Sequence, residues 1–277
     1  MSIELGKFNK LEIVKEVDFG LYLDGGEEGE ILLPLRYVPQ AYAIGDLLDV
    51  FLYLDNEERL VATTLKPLIE VGRFAYLEVS WTNQFGAFLN WGLMKDLFVP
   101  FREQKSKMEI GKKYMVHAHV DEESYRIVAS AKVERYLSRE VPSYETGEKV
   151  EALIWQRTDL GYKVIVNQQY QGLLYENEVF EILEPGSVLE VFVKQVREDG
   201  KIDLTLHRTG ISRVEDFAPV LLTYIRESGG KIYLTDKSPA EEIYQLFSVS
   251  KKTFKKAVGD LYKKRLIKLN PDTIELV

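Results

Sequence analysis

The 277-residue chain is long enough for several domains, and its 45% hydrophobic and 29% charged residues exclude a disordered protein. It has no cysteine, which excludes disulfides, thiolate nucleophiles and cysteine metal sites, and its formal net charge of −8 argues against a ligand held by a broad positive field. No apolar run approaches the roughly 20 residues that span a bilayer, and the start MSIELGKFNK lacks signal-peptide features. We therefore expect a cytoplasmic protein without membrane contact.

Three copies of one glycine pattern fill the first three quarters of the chain. Gly6, Gly20 and Gly45 recur 66 residues later, and again 75 residues after that, at Gly72, Gly86, Gly111, Gly147, Gly161 and Gly186. A fixed spacing of this kind is typical of a duplicated structural unit. We predict that the copies form three domains, at residues 1–66, 67–140 and 141–210.

Each copy contains five short runs in which apolar and polar residues alternate. In the second copy these runs are RFAYLEVSWT, QFGAFLN, DLFVPF, KKYMVHAHVD and RIVASA. Short alternating runs between turn residues predict β-strands, and five of them per copy favour an OB-type barrel. The sequence therefore predicts a multidomain, mainly β protein that begins with three tandem five-stranded OB-fold barrels.

Two phenylalanines of the second copy, Phe85 and Phe88, flank a glycine and an alanine. In a regular strand they would point to opposite faces, because side-chain direction alternates. We expect a bulge at Gly86 to bring both rings to the outer face of the barrel. Exposed rings would suit unpaired nucleobases, since stacking contributes about 1–3 kcal/mol per base. The alternative is that both rings fill the barrel core.

The other two copies keep this aromatic pattern unequally. The first copy has Phe19 and Tyr22, whereas the third has Leu160 and Lys163 at the two positions. Tyr162 lies beside them, and Tyr175 lies in the next predicted strand. The candidate contacts with single-stranded nucleic acid are therefore Phe19, Tyr22, Phe85, Phe88, Tyr162, Lys163 and Tyr175. Burial in a barrel or between domains is the alternative for each aromatic ring.

Residues 211–277 follow a helical pattern and predict an α+β winged-helix domain. Asp216, Ser238 and Ser250 are predicted to cap three helices, and Gly229-Gly230 to end the first one. A short strand, KIYLT, follows the first helix, and IKLNPDTIELV reads as a terminal hairpin. Helix, strand, two helices and a hairpin are the order of a winged helix.

The third predicted helix divides into an apolar face and a basic face. Phe254, Ala257, Val258 and Leu261 form one stripe, and the opposite direction carries Lys252, Lys256 and Lys263. In a winged helix this element is the recognition helix, and lysines there contact phosphate rather than specify bases. The alternative is a lysine face that is simply solvated.

The second copy resembles the S1 RNA-binding module, an OB-fold unit that carries a run close to FGAFV where this chain has FGAFL at 85–89. S1 modules often have a histidine at about the position of Tyr175, where the first two copies have Leu33 and Val99. Three such copies followed by a winged helix resemble the bacterial conserved virulence factor B (CvfB) family over essentially the whole chain. The stretch GYKVIVNQQYQGLLYENEVF of the third copy is also similar to that family. The resemblance implies an RNA-binding protein, a post-transcriptional regulator without a known catalytic centre.

The sequence contains no catalytic or cofactor motif. Phosphate loops, dinucleotide fingerprints and nucleophile elbows are absent. His117 and His119 share one face of a predicted strand, but no third ligand stands at a telling spacing, and His207 is distant in sequence. We expect a structural role for these histidines, no enzyme activity, no metal and no cofactor.

Three functions fit these features. The first is binding of single-stranded RNA along the barrels, assisted by the basic winged helix. The second is a regulator that binds duplex DNA through the winged helix. The third is a scaffold whose acidic barrels bind a basic partner such as a ribosomal protein. The sequence leaves the RNA target and the oligomeric state open.

Overall fold

The computed structural model describes residues 3–176, 179, 182–206, 213–247 and 249–277. The chain divides into two compact units, Met1–Ser138 and Arg139–Val277. Three closed five-stranded barrels come first, and three helices with a small sheet follow. The predicted fold class, three tandem barrels and a winged-helix region, is confirmed.

Barrel 1 consists of β1 (Phe8–Val17), β2 (Gly20–Asp24), β3 (Glu30–Pro34), β4 (Leu47–Leu54) and β5 (Leu60–Thr63). Strand β1 pairs antiparallel with β2 and with β4. Strand β5 closes the barrel, because it pairs antiparallel with β4 and parallel with β3. The apolar side chains that alternate along these strands form the barrel's core.

Barrels 2 and 3 repeat this topology. Barrel 2 consists of β6 (Phe74–Thr82), β7 (Gly86–Leu89), β8 (Leu97–Pro100), β9 (Lys113–Val120) and β10 (Ile127–Ser130). Barrel 3 consists of β11 (Lys149–Thr158), β12 (Gly161–Val166), β13 (Tyr170–Tyr175), β14 (Val188–Val196) and β15 (Ile202–Thr205). In both barrels the parallel pair joins the third and fifth strands, as in barrel 1.

The repeated glycine that begins each second strand is required by a close approach of backbone. A Cβ atom at these positions would lie 2.1 or 2.2 Å from a carbonyl oxygen of the third strand. The pairs are Gly20 with Leu33, Gly86 with Val99, and Gly161 with Leu174. A side chain there would force the second and third strands apart. The repeated glycines therefore mark the places where these two strands approach each other closely.

The C-terminal region contains α1 (Arg213–Glu227), β16 (Lys231–Ile232), α2 (Ala240–Phe247), α3 (Lys251–Lys263), β17 (Ile267–Leu269) and β18 (Ile274–Leu276). The strands form one sheet in the order β16-β18-β17. Phe217, Ile243 and Phe254 bring the three helices into a common core with the sheet. Within the described residues, no helix has the length and apolar character needed to cross a membrane.

One of the three predicted helix caps is confirmed. The Ser250 hydroxyl accepts a hydrogen bond from the Thr253 amide at 3.1 Å. The prediction for Asp216 is wrong, because α1 begins three residues earlier, at Arg213. The Ser238 cap is also corrected: its hydroxyl accepts from the Thr235 amide at 2.9 Å and so stabilises the turn before α2.

Candidate nucleic-acid interface

A bulge in β6 turns Trp81 to the outside of barrel 2. The register shifts between Val79 and Trp81, and β1 and β11 shift at the equivalent points. Strict alternation from Leu77 and Val79, which are buried, would place Trp81 inside the barrel. With the bulge, Ser80 and Trp81 both face outward, and Trp81 is 44% exposed.

The expected bulge at Gly86 is wrong, and Phe85 and Phe88 reach the outer surface by other means. Strand β7 pairs regularly with β8 from Gly86 onward. Phe85 precedes the strand in a turn, where the Asn83 side chain accepts from the Phe85 amide at 2.8 Å, and its ring is 63% exposed. Phe88 faces outward by ordinary alternation, because Ala87 on the opposite face is fully buried.

Three rings form a continuous row across the outer face of β6, β7 and β8. The Trp81 and Phe88 rings are parallel within 2°, with centroids 3.7 Å apart, and the Phe88 and Phe98 centroids are 4.9 Å apart. The strand register pairs Trp81 with Phe88 and Phe88 with Phe98. We call Trp81, Phe88 and Phe98 the aromatic row. Trp81 and Phe98 are not among the residues predicted from sequence; alternation with buried Leu97 could have revealed Phe98.

Asp96 fixes the orientation of the indole at the edge of the row. The Trp81 Nε1–H donates to Asp96 Oδ2 at 3.0 Å, and the Ser80 hydroxyl donates to Asp96 Oδ1 at 3.3 Å. Asp96 immediately precedes β8, so the contact reaches across β7 from the first strand of the barrel to the third. Phe88 stacks on one face of the indole, and Trp81 as a whole remains 44% exposed.

The aromatic row lines a groove of about 790 Å³ between barrels 1 and 2, within the first compact unit. Barrel 1 contributes Tyr53, Asn56 and Glu58 to this inter-barrel groove. The two barrels share an apolar core, in which Phe51 packs edge-on against Trp91 with ring centroids 5.8 Å apart. The groove is therefore formed by two barrels held against each other.

One carboxylate of barrel 1 binds the two cations of the groove. Glu58 Oε1 lies 3.1 Å from Lys95 Nζ, and Glu58 Oε2 lies 3.1 Å from Arg126 Nε. Lys95 also donates to the Asp55 carbonyl oxygen at 2.7 Å. Both cations are thus ion-paired, although one carboxylate offsets only one of their two charges. The walls of the groove are more aromatic than basic.

The equivalent face of barrel 1 carries a different row. Lys15, Tyr22 and Leu32 occupy the register positions of the aromatic row. The Lys15 ammonium lies 4.6 Å from the Tyr22 ring centroid and pairs with Glu30. Phe19 is 57% exposed and meets Tyr22 edge-on, with centroids 6.3 Å apart. Barrel 1 therefore offers two partly exposed rings, but no stack of three.

Barrel 3 has no aromatic row at the equivalent positions. Its register positions hold Gln156, Lys163 and Leu173, and the Lys163 ammonium lies 5.4 Å from the ring of the buried Trp155. The prediction for Tyr162 is wrong, because its ring is only 3% exposed. Since Tyr162 precedes the outward-facing Lys163, alternation directs it into the core.

The alignment of Tyr175 with Leu33 and Val99 is also wrong. Gly161 pairs with Tyr175, just as Gly20 pairs with Pro34 and Gly86 pairs with Pro100. The alignment of the three copies by sequence is therefore shifted by one residue at β13. Leu174, not Tyr175, is the buried equivalent of Leu33 and Val99.

Tyr175 belongs to a polar network on the outer face of barrel 3. Its hydroxyl accepts from Arg197 Nη2 at 2.7 Å and donates to Asp203 Oδ1 at 3.3 Å. Asp203, only 2% exposed, also accepts from Gln195 at 2.6 Å. Burial acts to raise the pKa of Asp203, but hydrogen bonds from Arg197 and Gln195 hold that pKa below its usual value. These groups satisfy one another, so Tyr175 is not a free stacking surface.

The histidine pair of β9 is packed as part of the protein. The Tyr136 ring stacks on His117 with centroids 4.1 Å apart, and its hydroxyl lies 3.3 Å from His119 Nε2. Burial, with a smaller contribution from His119, lowers the pKa of His117 to about 4. Among the described residues, no three His, Cys, Asp or Glu side chains are placed to hold a metal ion. His207 lies outside the described residues.

The predicted two faces of α3 are present. The apolar stripe, which contains Phe254 and Leu261, is buried in the core of the C-terminal region. Lys252, Lys256 and Lys263 are exposed, and in the part of the chain that the structure describes they form no ion pair. They present a positive surface on the helix that the winged-helix pattern assigns to recognition.

Two family models match the chain at its two ends. A model described as an S1 domain matches residues 5–65, and a CvfB-like winged helix domain matches residues 220–276. Conserved virulence factor B of Staphylococcus epidermidis is 24% identical, in an alignment that covers 98% of this chain and 94% of that protein. The chain is therefore similar to CvfB proteins over nearly its whole length, and its C-terminal domain matches the CvfB-like winged helix. Another relative, the protein YitL of Bacillus subtilis, is 28% identical in an alignment that covers 95% of this chain and 90% of that protein.

A solved structure is similar to this chain over nearly its whole length. It is a multidomain protein with nucleic acid binding domains from Streptococcus pneumoniae, 26% identical, which covers 99% of this chain and 98% of its own, with a TM-score of 0.44. Neither matched family model describes an enzyme. S1-type OB barrels and winged helices bind nucleic acids in many proteins, so the two matched domains support a nucleic-acid-binding protein.

Proposed function

We propose that this chain is a member of the CvfB family and a cytoplasmic, non-catalytic regulator that binds single-stranded RNA. The aromatic row beside the inter-barrel groove carries the proposal. Trp81 and Phe88 form a parallel stack whose outer indole face is exposed, and Phe85 adds a second exposed ring nearby. Unpaired bases stack on such rings with little sequence preference.

Single strands fit this surface better than a duplex does. Bases inside a duplex are already stacked, so their faces cannot reach Trp81 or Phe85. A duplex would instead need free cations to contact its backbone, whereas Lys95 and Arg126 are both paired with Glu58. The net charge of −8 also disfavours contact with the densely charged backbone of a duplex. The likeness to the S1 RNA-binding module favours RNA over single-stranded DNA.

The proposal assigns unequal roles to the four predicted domains, at residues 1–66, 67–140, 141–210 and 211–277. The second barrel supplies the main stacking surface, and Phe19 and Tyr22 of the first barrel supply a weaker one. The third barrel serves as a spacer. Lys252, Lys256 and Lys263 of α3 add phosphate contacts, and linked weak sites gain affinity through effective concentration.

The test measures binding of a labelled single-stranded RNA to the full chain by fluorescence anisotropy at fixed salt. We expect Phe85→Ala with Phe88→Ala to weaken binding by tenfold or more, about the cost of one lost base stack. Leu160→Ala is the matched control, because Leu160 holds the position of Phe85 in barrel 3 and is 67% exposed. Equal losses in both variants, or none in the double variant, would contradict the proposal.

Duplex DNA is the second candidate ligand, and the exposed lysines of α3 are the observation that favours it. If α3 reads a duplex, a triple Lys252→Ala, Lys256→Ala and Lys263→Ala variant loses duplex binding, and the Phe85→Ala and Phe88→Ala variant keeps it. Tighter binding of duplex DNA than of single-stranded RNA by the wild-type chain, at the same salt, would replace RNA with DNA as the ligand.

A further inference from the structure

Asp96 places a carboxylate at the rim of the proposed stacking surface. Its two oxygens accept from the Trp81 indole and the Ser80 hydroxyl, at 3.0 and 3.3 Å. A carboxylate has about four lone-pair sites, so these two bonds leave acceptor capacity unused. The side chain lines the inter-barrel groove together with Trp81, so a group stacked on the indole would lie beside it.

Asp96 has no cationic partner to offset a negative charge in the groove. Within the described chain it forms no ion pair, and the two cations of the groove are bound by Glu58 instead. A phosphate group would be repelled there. A strand that enters the groove must therefore present the edge of a base, rather than its backbone, to Asp96.

We infer that Asp96 selects bases that carry an exocyclic amino group, cytosine above all, over uracil. The inference rests on the proposed function, since it concerns the base stacked on Trp81. The amino group of cytosine donates to a carboxylate, a pairing used in base recognition. Uracil has carbonyl oxygens on both sides of its one ring N–H on that edge, and these would face the negative charge.

The equivalent positions explain why this selection belongs to barrel 2. In barrel 1 the residue in the place of Asp96 is Glu30, and its carboxylate is taken by the ion pair with Lys15. In barrel 3 the place is held by Gln171, which is uncharged. Glu30→Gln is therefore a matched control: it removes a carboxylate from the same point of a neighbouring barrel.

The test compares single-stranded oligocytidine and oligouridine of about eight nucleotides, within the site size of one OB barrel, on the full chain at one salt concentration. We expect the wild type to prefer oligocytidine about tenfold, the effect of one good edge contact. Asp96→Asn should bring the two affinities close together, because its amide can also donate to uracil, whereas Glu30→Gln should keep the preference. An oligomer of N4,N4-dimethylcytidine, which stacks but cannot donate, should bind the wild type as weakly as oligouridine.

Each outcome decides the inference. Equal binding of oligocytidine and oligouridine by the wild type overturns it and leaves RNA binding intact. A uniform gain for both oligomers in Asp96→Asn, with the preference unchanged, also overturns it, because Asp96 would then act only by repelling phosphate. If the wild type binds neither oligomer, nor a mixed-sequence RNA, the proposed function fails together with the inference. The dimethylated oligomer gives a result even if Asp96→Asn does not fold.

Discussion

Trp81 and Phe88 lie on neighbouring strands with parallel rings, 3.7 Å between centroids, and this contact exists because β6 bulges just before Trp81. Without the bulge the indole would follow Val79 into the barrel core. The same irregularity recurs in β1 and β11, but there it brings Lys15 and Gln156 to the surface. The bulge in the first strand thus exposes a different side chain in each barrel, and only in barrel 2 is that side chain an aromatic ring.

Tryptophan fluorescence should report RNA binding at Trp81 specifically. Trp91 and Trp155 are 3% and 6% exposed, so a base can reach the Trp81 indole far more readily. We expect RNA to quench the emission of the wild type, and Trp81→Phe to bind RNA with little quenching. Trp81→Ala should lower affinity by the cost of a base stack, about 1–3 kcal/mol. Undiminished quenching in Trp81→Phe would place the RNA elsewhere.

Glu58→Gln should strengthen RNA binding and make it more sensitive to salt. The change removes the ion pairs of Glu58 with Arg126 and Lys95, so both cations can contact phosphate. Each new phosphate contact on a single strand steepens the plot of log affinity against log salt by roughly 0.7. Glu57→Gln is the control, because Glu57 pairs with Arg59, which does not line the groove. Identical salt slopes in the two variants would exclude release of these cations.

Gly86→Ala should destabilise barrel 2 by about 1–3 kcal/mol, the usual cost of overpacking. The added Cβ would meet the Val99 carbonyl oxygen at 2.2 Å, and that backbone atom is held in the barrel. Gly259→Ala in α3 is the opposite case, since nothing lies within 4 Å of the new Cβ. Removing this glycine from a helix should stabilise the fold by up to about 1 kcal/mol. Urea unfolding measures both, and a neutral Gly86→Ala would refute the close approach.

The buried His117 should make stability depend on pH. Its pKa is lowered to about 4 in the fold, so between about pH 6.5 and pH 4 the unfolded chain binds a proton that the folded chain does not. This contribution is complete above about pH 6.5 and is lost as the pH falls toward 4, for a total of about 3 kcal/mol. Burial lowers the pKa of His119 as well, in the same direction.

His117→Phe tests this pH dependence, because barrels 1 and 3 have Phe51 and Phe192 at the same position. The variant should lose much less stability than the wild type between pH 6.5 and 4. A Trp155→Phe background leaves both remaining tryptophans in the first compact unit, so that fluorescence follows that unit alone. Parallel stability curves for the two proteins would show that His117 titrates as an exposed histidine does.

The barrels could be predicted from sequence because two features of a closed barrel, repeated glycines and alternating apolar residues, are visible in short stretches of the chain. Each second-strand glycine marks a place where a Cβ would strike backbone, and alternation marks the core. The aromatic row was harder to predict. A one-residue bulge reverses the direction of every later side chain in the strand, and no residue type indicates where such a bulge occurs. Trp81 was missed for this reason. The prediction for Tyr162 failed because its neighbour Lys163, not the tyrosine, faces outward. The prediction for Tyr175 failed because the strand was aligned one residue out of register, and a shift of one residue exchanges the two faces of a strand.

The most direct measurement of the central claim is ultraviolet crosslinking of the full chain to a mixed-sequence single-stranded RNA, with the crosslinked residues mapped by mass spectrometry. We predict that crosslinks concentrate at residues 81–98, with fewer at Phe19 and Tyr22 and few on the strands of barrel 3. Crosslinks confined to α3, or spread evenly over the three barrels, would contradict an RNA site built on the stacked rings of barrel 2.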